Sequence, residues 1–284
     1  NYTINHSKAG YQRANSTSLN ITSDTNLGLT LEIFSTIVVT NTEAPYDIFT
    51  RVNDISVFNN LSDSSRTCRY LSSANINVTT GKLFLENCTL EMNNTNSDGV
   101  YNLYVWGGTL SVNYSNITTA TTNRYDFIAF PSSNLILKNS HISYTGSTAV
   151  NLQRGLAINT TNLTFENNTV YKGRDTDVEI SSSNISLVGS KLIGNNGGGT
   201  ATDYNIYCVL CNNVKATDSN ISGSSGAAVV LESNQNLTLL NSNHSTHSVQ
   251  SRATLYKQWY VNVYVQDSFG NPVDSANLTF KNVT

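Results

Sequence analysis

Charged residues are scarce in this chain, and long apolar runs are absent. Asp, Glu, Lys and Arg make up 12% of the 284 residues and the formal net charge is −3, whereas a typical globular domain has roughly 25% charged residues. Nucleic-acid binding requires a basic stripe that this composition does not offer. No apolar stretch is long enough to span a bilayer, and no signal peptide is visible. We therefore expect no nucleic-acid partner, no transmembrane segment in this chain, and a mature form of the protein.

Proline and methionine are also rare, with 3 and 1 residues respectively. This excludes a collagen-like or proline-rich disordered chain, and 38% hydrophobic residues are enough for a substantial core. Asn occurs 41 times, and Ser and Thr together occur 69 times. The outer surface is therefore expected to consist mainly of neutral amides and hydroxyls.

Seven ten-residue segments align on one another, with successive starts 22 to 29 residues apart, as in solenoid repeats. Residues one and three positions after each start are apolar, which predicts a strand with one buried face. The fifth position favours residues that tolerate a left-handed backbone, and the eighth is apolar again except at His244. Each copy therefore predicts two short strands joined by a tight corner. The starts are Lys82, Thr109, Asn134, Asn162, Asn184, Asn213 and Asn236, and the corners are Asn87, Tyr114, Asn139, Asn167, Gly189, Asp218 and Asn241.

A third short strand is predicted shortly before each start. Two weaker copies are assigned at Thr30 and Asp54, the latter with its corner at Asn59. Three strands per coil predict an all-β fold, a right-handed parallel β-helix of about nine coils, with a rod length on the order of 40 Å at about 4.8 Å per coil. The third strands are Ile48–Thr50, Ile76–Val78, Leu103–Val105, Phe127–Ala129, Val150–Leu152, Val178–Ile180, Ile206–Cys208 and Val229–Leu231. We assign residues 1–27 to an N-terminal cap or arm and 28–255 to the β-helix.

Nineteen Asn residues lie in Asn-x-Ser/Thr triplets, about twice the number expected from composition. Those at outward positions of the repeat are interpreted as N-glycosylation sites, which implies a secreted protein on the cell surface. Asn87 and Asn167 also lie in such triplets, but they occupy the corner position, where a stacked amide ladder is the preferred interpretation. The predicted glycosylation sites are Asn162, Asn184, Asn236, Asn116, Asn220, Asn243, Asn77, Asn113, Asn159 and Asn60.

Four cysteines fit an oxidising exterior. A local disulfide between Cys208 and Cys211, with a second between Cys68 and Cys88 on neighbouring coils, is preferred, although the sequence leaves connectivity and intermolecular bridges open. A C-x-x-C pair also occurs in redox and zinc sites, but no second pair is present. We expect no metal and no cofactor.

The segment 256–284 changes character. Val261, Val263 and Val265 alternate with polar residues, a turn follows, and a second strand is predicted from Val273 to Phe280. This hairpin resembles the start of immunoglobulin-like modules of the carboxypeptidase-regulatory type, through Val263, Val265, Asp267, Gly270, Pro272, Val273 and Ala276. Either such a module continues beyond Thr284, or the hairpin caps the helix.

With these coils and this hairpin, residues 28 to 280 resemble archaeal cell-surface glycoproteins with a pectate-lyase-like β-helix followed by immunoglobulin-like modules. The resemblance implies a structural role as a subunit of a filament, sheath or surface layer, with copies of itself and other envelope components as partners. Subunits would join end to end or side by side.

A carbohydrate-binding adhesin is the second hypothesis, because Tyr101, Tyr104, Trp106 and Tyr125 fall on consecutive coils and aromatic side chains can bind sugars or pack against a partner. A polysaccharide lyase or glycoside hydrolase is the third. Its best carboxylates are Asp177 and Glu179 beside Arg174, which the strand pattern predicts to face solvent. Because the polygalacturonase motifs are absent and acidic residues are scattered, we expect no enzymatic activity.

Overall fold

The computed structural model describes residues 36–62, 68–194, 203–261, 263–266 and 269–273. Within these ranges the chain forms a parallel β-solenoid with three sheets of nine strands each. We name the sheets 1, 2 and 3 in the order in which the chain passes through them. The all-β solenoid predicted from the repeat is confirmed.

Sheet 1 contains the strands that precede each repeat start. They are β1 (Thr36–Val39), β5 (Asn75–Val78), β8 (Leu103–Val105), β11 (Phe127–Ala129), β14 (Leu156–Ile158), β17 (Thr176–Ile180), β20 (Tyr204–Cys208), β23 (Val229–Leu231) and β26 (His247–Val249).

Sheet 2 contains the strands at the repeat starts. They are β2 (Thr42–Glu43), β6 (Lys82–Glu86), β9 (Thr109–Asn113), β12 (Asn134–Lys138), β15 (Asn162–Glu166), β18 (Ser186–Val188), β21 (Val214–Thr217), β24 (Asn236–Leu240) and β27 (Thr254–Gln258).

Sheet 3 contains the strands that follow the corner. They are β3 (Phe58–Asn60), β4 (Cys68–Ser72), β7 (Cys88–Met92), β10 (Asn116–Thr119), β13 (His141–Ser143), β16 (Thr169–Tyr171), β19 (Lys191–Ile193), β22 (Asn220–Ser222) and β25 (Asn243–His244).

The core consists of apolar ladders, because each inward residue pairs with its counterpart one coil away. In sheet 2, for example, Leu83, Leu110, Leu135 and Leu163 are successive register partners. The first three are fully buried, and burying one such side chain contributes roughly 1.5–3 kcal/mol. Because the strands pair in parallel with the same register from coil to coil, the inward residues of each of the three sheets form such a ladder inside the solenoid.

The predicted corners have left-handed backbones. All seven residues of this column have φ between 46° and 60°. Non-glycine residues rarely adopt this conformation, and Asn and Asp tolerate it best. Asn167 donates its amide to Oδ1 of Asn139 at 3.2 Å, so the amide ladder predicted for the corner is present at this residue.

A second, buried ladder follows directly after the corner and was not recognised in the sequence. Each backbone N–H in this column donates to the side-chain oxygen of the next coil, for example Ser115 N to Ser140 Oγ at 3.2 Å. The serine hydroxyl donates to a carbonyl two residues back. The chain of bonds satisfies polar groups inside the solenoid. It runs through Cys88, Ser115, Ser140, Asn168, Ser190, Ser219 and Ser242.

The N-terminal end is closed by helix α1 (Pro45–Val52) and by β3, which pairs antiparallel with β4. Pro45 occupies the first turn, and Asp47 accepts the backbone N–H of Ala44 at 2.7 Å. Pro45, Ile48 and Val52 are buried against the end of the core. Arg51 binds both carboxylate oxygens of Glu43 and donates to the carbonyl oxygen of Val38 in the edge strand β1.

Three assignments in the sequence were wrong. Ile48–Thr50 belongs to α1, because the proline, the capping carboxylate and the helical spacing of Ile48 and Val52 outweigh a three-residue alternation. The weaker copy at Asp54 is the antiparallel strand β3, and Ile55 is exposed. Val150–Leu152 is a loop, and the strand of that coil is Leu156–Ile158. The copy at Thr30 begins outside the described residues.

Both disulfides pair as preferred. Cys68 and Cys88 are register partners on β4 and β7 with Cα atoms 4.6 Å apart, and Cys208 and Cys211 have Cα atoms 5.5 Å apart. Near the C-terminus, Val273 N donates to Val265 O and Gln266 forms an antiparallel bridge to Pro272. The remaining residues of the predicted hairpin, 267–268 and 274–280, lie outside the described part of the chain.

Candidate functional site

The outer face of sheet 1 differs from the outer faces of the other two sheets in the kinds of side chain along its outward row. Its strands are in register, so the outward residues form one row along the solenoid. The row contains Asn77, Tyr104, Ile128, Ala157, Glu179, Tyr207 and Val230. Sheets 2 and 3 present mainly Asn, Ser, Thr and Lys, although sheet 2 also has four large outward side chains, Phe84, Ile136, Val188 and Tyr256. Sheet 1 differs in that one continuous outward row consists largely of apolar, aromatic and acidic residues.

An aromatic patch lies near the N-terminal part of this face and consists of Tyr104, Trp106 and Phe130. Trp106 stacks on Phe130 with ring centroids 3.6 Å apart, and Tyr104 meets Phe130 edge-on at 6.1 Å. Trp106 is 51% exposed. The stacked rings of Trp106 and Phe130 therefore form a flat apolar surface.

Only two of the four aromatic residues singled out in the sequence belong to this patch. Tyr101 is half-buried and packs against the core, and Tyr125 is fully buried beneath β11 and its neighbours. Phe130 was missed. It follows its strand directly, as Trp106 follows β8 on the coil before, so aligning the third strands would have identified the pair.

A loop that we call the strap, Gly146–Gly155, crosses the middle of the face. A side chain at Gly146, which has φ 84°, would lie 2.4 Å from the carbonyl carbon of Arg154, so the two ends of the strap meet closely. Arg174 donates to Ser147 O at 2.6 Å and pairs with Asp98 at 3.0 Å. The strap is thus held by the close approach of its two ends and by Arg174, which lies in the turn before β17.

Two carboxylates, one just before β11 and one in β17, hold the underside of the strap. Asp126 accepts Ser147 N–H at 2.9 Å and Gln153 Nε2–H at 3.0 Å. Glu179 accepts Leu152 N–H at 2.8 Å. Burial raises the pKa of both carboxyl groups, and these hydrogen bonds oppose the rise. Both acids are thereby used to fix a loop.

The expectation that Asp177 and Glu179 face solvent was wrong. Both point away from the core, but neither has any exposed surface. Glu179 lies under the strap, whereas Asp177 accepts Asn205 Nδ2–H at 2.6 Å and the backbone N–H of Gly173. Burial raises the pKa of Asp177 well above its usual range. A strand pattern specifies the direction of a side chain and not what covers it.

Beyond the strap the row continues with Tyr207, whose ring stacks with Tyr204 at 5.5 Å. The guanidinium carbon of Arg154 lies 4.8 Å from the centre of the Tyr207 ring, and the Tyr207 hydroxyl donates to Glu232. Burial, together with Glu232, raises the pKa of Tyr207 to about 12. Burial, together with Asp126, likewise raises the pKa of Tyr104 to about 12. Both phenols are therefore neutral hydrogen-bond donors at physiological pH.

The predicted glycosylation sites lie mostly on the other two sheets. Asn162 and Asn236 begin strands of sheet 2, Asn184 precedes one and Asn113 ends one. Sheet 3 holds Asn116, Asn220 and Asn243 at strand starts and Asn60 at a strand end. Asn159 follows β14, and Asn77 is the only one of the ten within a strand of sheet 1.

The exposure of these sites divides them into two groups. Asn162, Asn184, Asn116, Asn220 and Asn243 are exposed, and Asn236, Asn113, Asn77, Asn159 and Asn60 are half-buried. The side-chain oxygen of Asn77 is buried, and its register partner is Tyr104 of the aromatic patch. The freely accessible sites therefore all lie away from sheet 1.

No family model, no curated protein and no solved structure matches this chain. Among the described residues there is no helix long and apolar enough to cross a bilayer. The same residues contain no group of three or more His, Cys, Asp or Glu side chains suited to hold a metal ion.

Proposed function

We propose that the protein is a structural subunit of an extracellular, cell-surface assembly, in which the β-solenoids contact one another side by side through sheet 1. The observation that carries this proposal is the separation of faces. Exposed Asn-x-Ser/Thr sites lie on sheets 2 and 3, whereas the aromatic patch lies on sheet 1. Sugars on two faces would leave the third free for protein contact, and a half-exposed Trp on a stacked Phe is typical of an interface anchor.

The N-terminal end supports lateral rather than end-to-end contact. Helix α1 covers the core there, and Arg51 occupies the carbonyl oxygen of Val38 at the sheet edge. A second solenoid could continue the stack at this end only if α1 moved. A filament, sheath or layer assembled through lateral faces needs no such change.

The resemblance to archaeal surface glycoproteins agrees with this proposal, as do the two disulfides, which fit an oxidising compartment. Membership of that group, N-glycans on the exposed Asn residues and an immunoglobulin-like module after residue 256 are parts of the same proposal.

The direct test is electron microscopy of native material shed from cells, combined with glycopeptide mass spectrometry. We expect a regular polymer with sugar at Asn162, Asn184 and Asn220. Trp106→Ala should release subunits, whereas Tyr114→Asn should leave the polymer intact, although it removes an aromatic at a sheet 2 corner that is 61% exposed, against 51% for Trp106. Monomeric native material, or a polymer indifferent to Trp106→Ala, would overturn the proposal.

A sugar-binding adhesin is the second candidate, favoured by the flat Trp106 and Phe130 platform. A glycan array probed with monomeric protein distinguishes the two. Retention lost in Trp106→Ala, without any self-association of the wild type, would establish the adhesin. An enzyme remains the least supported hypothesis, because Asp126 and Glu179 bind the strap and Asp177 is buried.

A further inference from the structure

The last coil of the solenoid departs from the apolar ladders. His244 is the register partner of Ile221, and His247 is the register partner of Val229. Both histidines therefore occupy inward positions that hold apolar residues in the preceding coils. The preceding coil holds Ile and Val at these positions, and His is buried less often than either, so two adjacent imidazoles need an explanation.

The two rings face each other through their nitrogens. His244 Nε2 lies 3.2 Å from His247 Nδ1, and the ring centroids are 5.3 Å apart at 43°. Residues 245–246 join β25 to β26, so the two imidazoles lie next to each other at the end of the core. His247 is exposed and His244 is half-buried, so solvent reaches the pair.

We propose that His244 and His247 form a binding site for a divalent first-row transition-metal ion of the zinc or nickel class. Zinc–nitrogen bonds of about 2.0–2.1 Å at a tetrahedral angle place two ligand nitrogens about 3.3 Å apart, and a right angle places them about 2.9 Å apart. The observed 3.2 Å lies between these values. The distance therefore fits two ligands of one ion, which would replace the hydrogen bond between the two rings.

The pair supplies two of the four to six ligands that such an ion takes. Water, or a group from a neighbouring chain, would fill the other positions, since the described residues place no third His, Cys, Asp or Glu there. Lys257 occupies the inward position of β27 on the same coil, next to Leu239. Its charge weakens the site, and this dependence can be measured.

A bound ion would link β25 to β26 at the end of the core. Sheet 1 ends at β26 and sheet 3 ends at β25 in the described chain, so no further strand covers these two. In the other coils the following coil holds these strands in place, and in the last coil the ion would have this role.

The test is calorimetric titration of the full, tag-free chain with ZnCl2 and with NiCl2 at pH 7.5. We expect one ion per chain. Binding should be lost in His247→Gln and in His244→Gln, kept in His141→Gln, which alters an exposed imidazole on β13, and tightened several-fold in Lys257→Gln. His247→Gln changes an exposed side chain, so this variant is expected to fold even if His244→Gln does not.

The unfolding midpoint should rise by roughly 2–4 °C for each tenfold increase in metal above the dissociation constant. The imidazole resonances of His244 and His247 should shift together with a ratio of one ion per pair. No binding at millimolar metal, or binding unaffected by His247→Gln, would overturn the proposal and leave the pair as a hydrogen bond between two imidazoles.

Discussion

At the N-terminal end of the solenoid, α1 and the antiparallel strand β3 cover the first coil of the core. At the C-terminal end, β25, β26 and β27 each have one side without a neighbouring strand in the described chain. The inward residues differ accordingly. Ile37 and Val39 in β1 are buried, but His247 and Lys257 are exposed. The same strand geometry yields a core at one end and a polar surface at the other.

This difference shows that the solenoid pattern alone does not close its ends. The inward side chains of a coil are buried only if another element packs against them. The first coil is covered by an added helix, whereas the last coil has polar side chains at its inward positions. Four predictions test this difference at the two ends and in the middle of the solenoid.

Removing a buried contact should cost far more at the closed end. Ile48→Ala takes three carbons from a side chain that is 1% exposed, and we expect a loss of about 2–5 kcal/mol of unfolding free energy. Leu255→Ala, in a partly buried rung of the open end, should cost about 1 kcal/mol. Urea unfolding of the two variants gives the comparison. Equal losses would mean that α1 does not close the core.

The disulfide near the closed end should matter more than the one farther along. Cys68 and Cys88 are 20 residues apart, and replacing both with Ser should lower the unfolding free energy by about 3 kcal/mol. Cys208 and Cys211 are separated by 3 residues, so their loop constrains little of the unfolded chain. Denaturation of the two double variants should rank them in this order, and the reverse order would contradict the loop argument.

A substitution at Asp177 tests the middle of the solenoid, where the turn at Gly173 covers part of sheet 1. Burial raises the pKa of this carboxyl in the folded protein, so the folded state binds a proton that the unfolded state releases first. Proton binding at Asp177 therefore contributes fully to the unfolding free energy below the unfolded-state pKa. This contribution is lost as the pH rises through the folded-state pKa. Asp177→Asn should remove this loss, and its stability relative to wild type should increase from pH 4 to pH 8. A constant difference across this range would show that burial does not control the titration.

The smallest effect is expected at the open end itself. Lys257→Leu extends the ladder that ends at Leu239, and the unfolding free energy should change by less than about 0.5 kcal/mol. The new apolar rung should instead promote association through the end, which light scattering would detect. Lys215→Leu, on the outward side of β21, is the matched control and should associate less.

The repeat made most of the fold predictable. Strands β6, β9, β12, β15 and β24 begin at the assigned starts, because inward residues two apart can be read from a strand without knowing its neighbours. Helix α1 is also encoded locally, because Pro45, Asp47 and the spacing of Ile48 and Val52 outweigh the three-residue alternation that predicts a strand there. The serine column after the corner is also a local pattern of the seven aligned copies, although it was not recognised in the sequence.

The candidate sites were less predictable. Trp106 and Tyr104 were identified as surface aromatics, and an alignment of the third strands would have added Phe130. The burial of Tyr125, in contrast, depends on side chains from other coils. The pairing of His244 with His247 depends on a turn whose geometry the sequence pattern does not specify.

The sequence by itself determined the coil, its corners and the direction of each strand side chain, because these follow from local backbone preference and a period of two. Tertiary structure alone decided which outward residues are exposed. The strap buries Glu179, and Gly173 and Asn205 bury Asp177, through contacts between residues 4 to 28 positions apart that no periodicity records. Direction is a local property of the chain, whereas burial depends on what another part of the chain places over it.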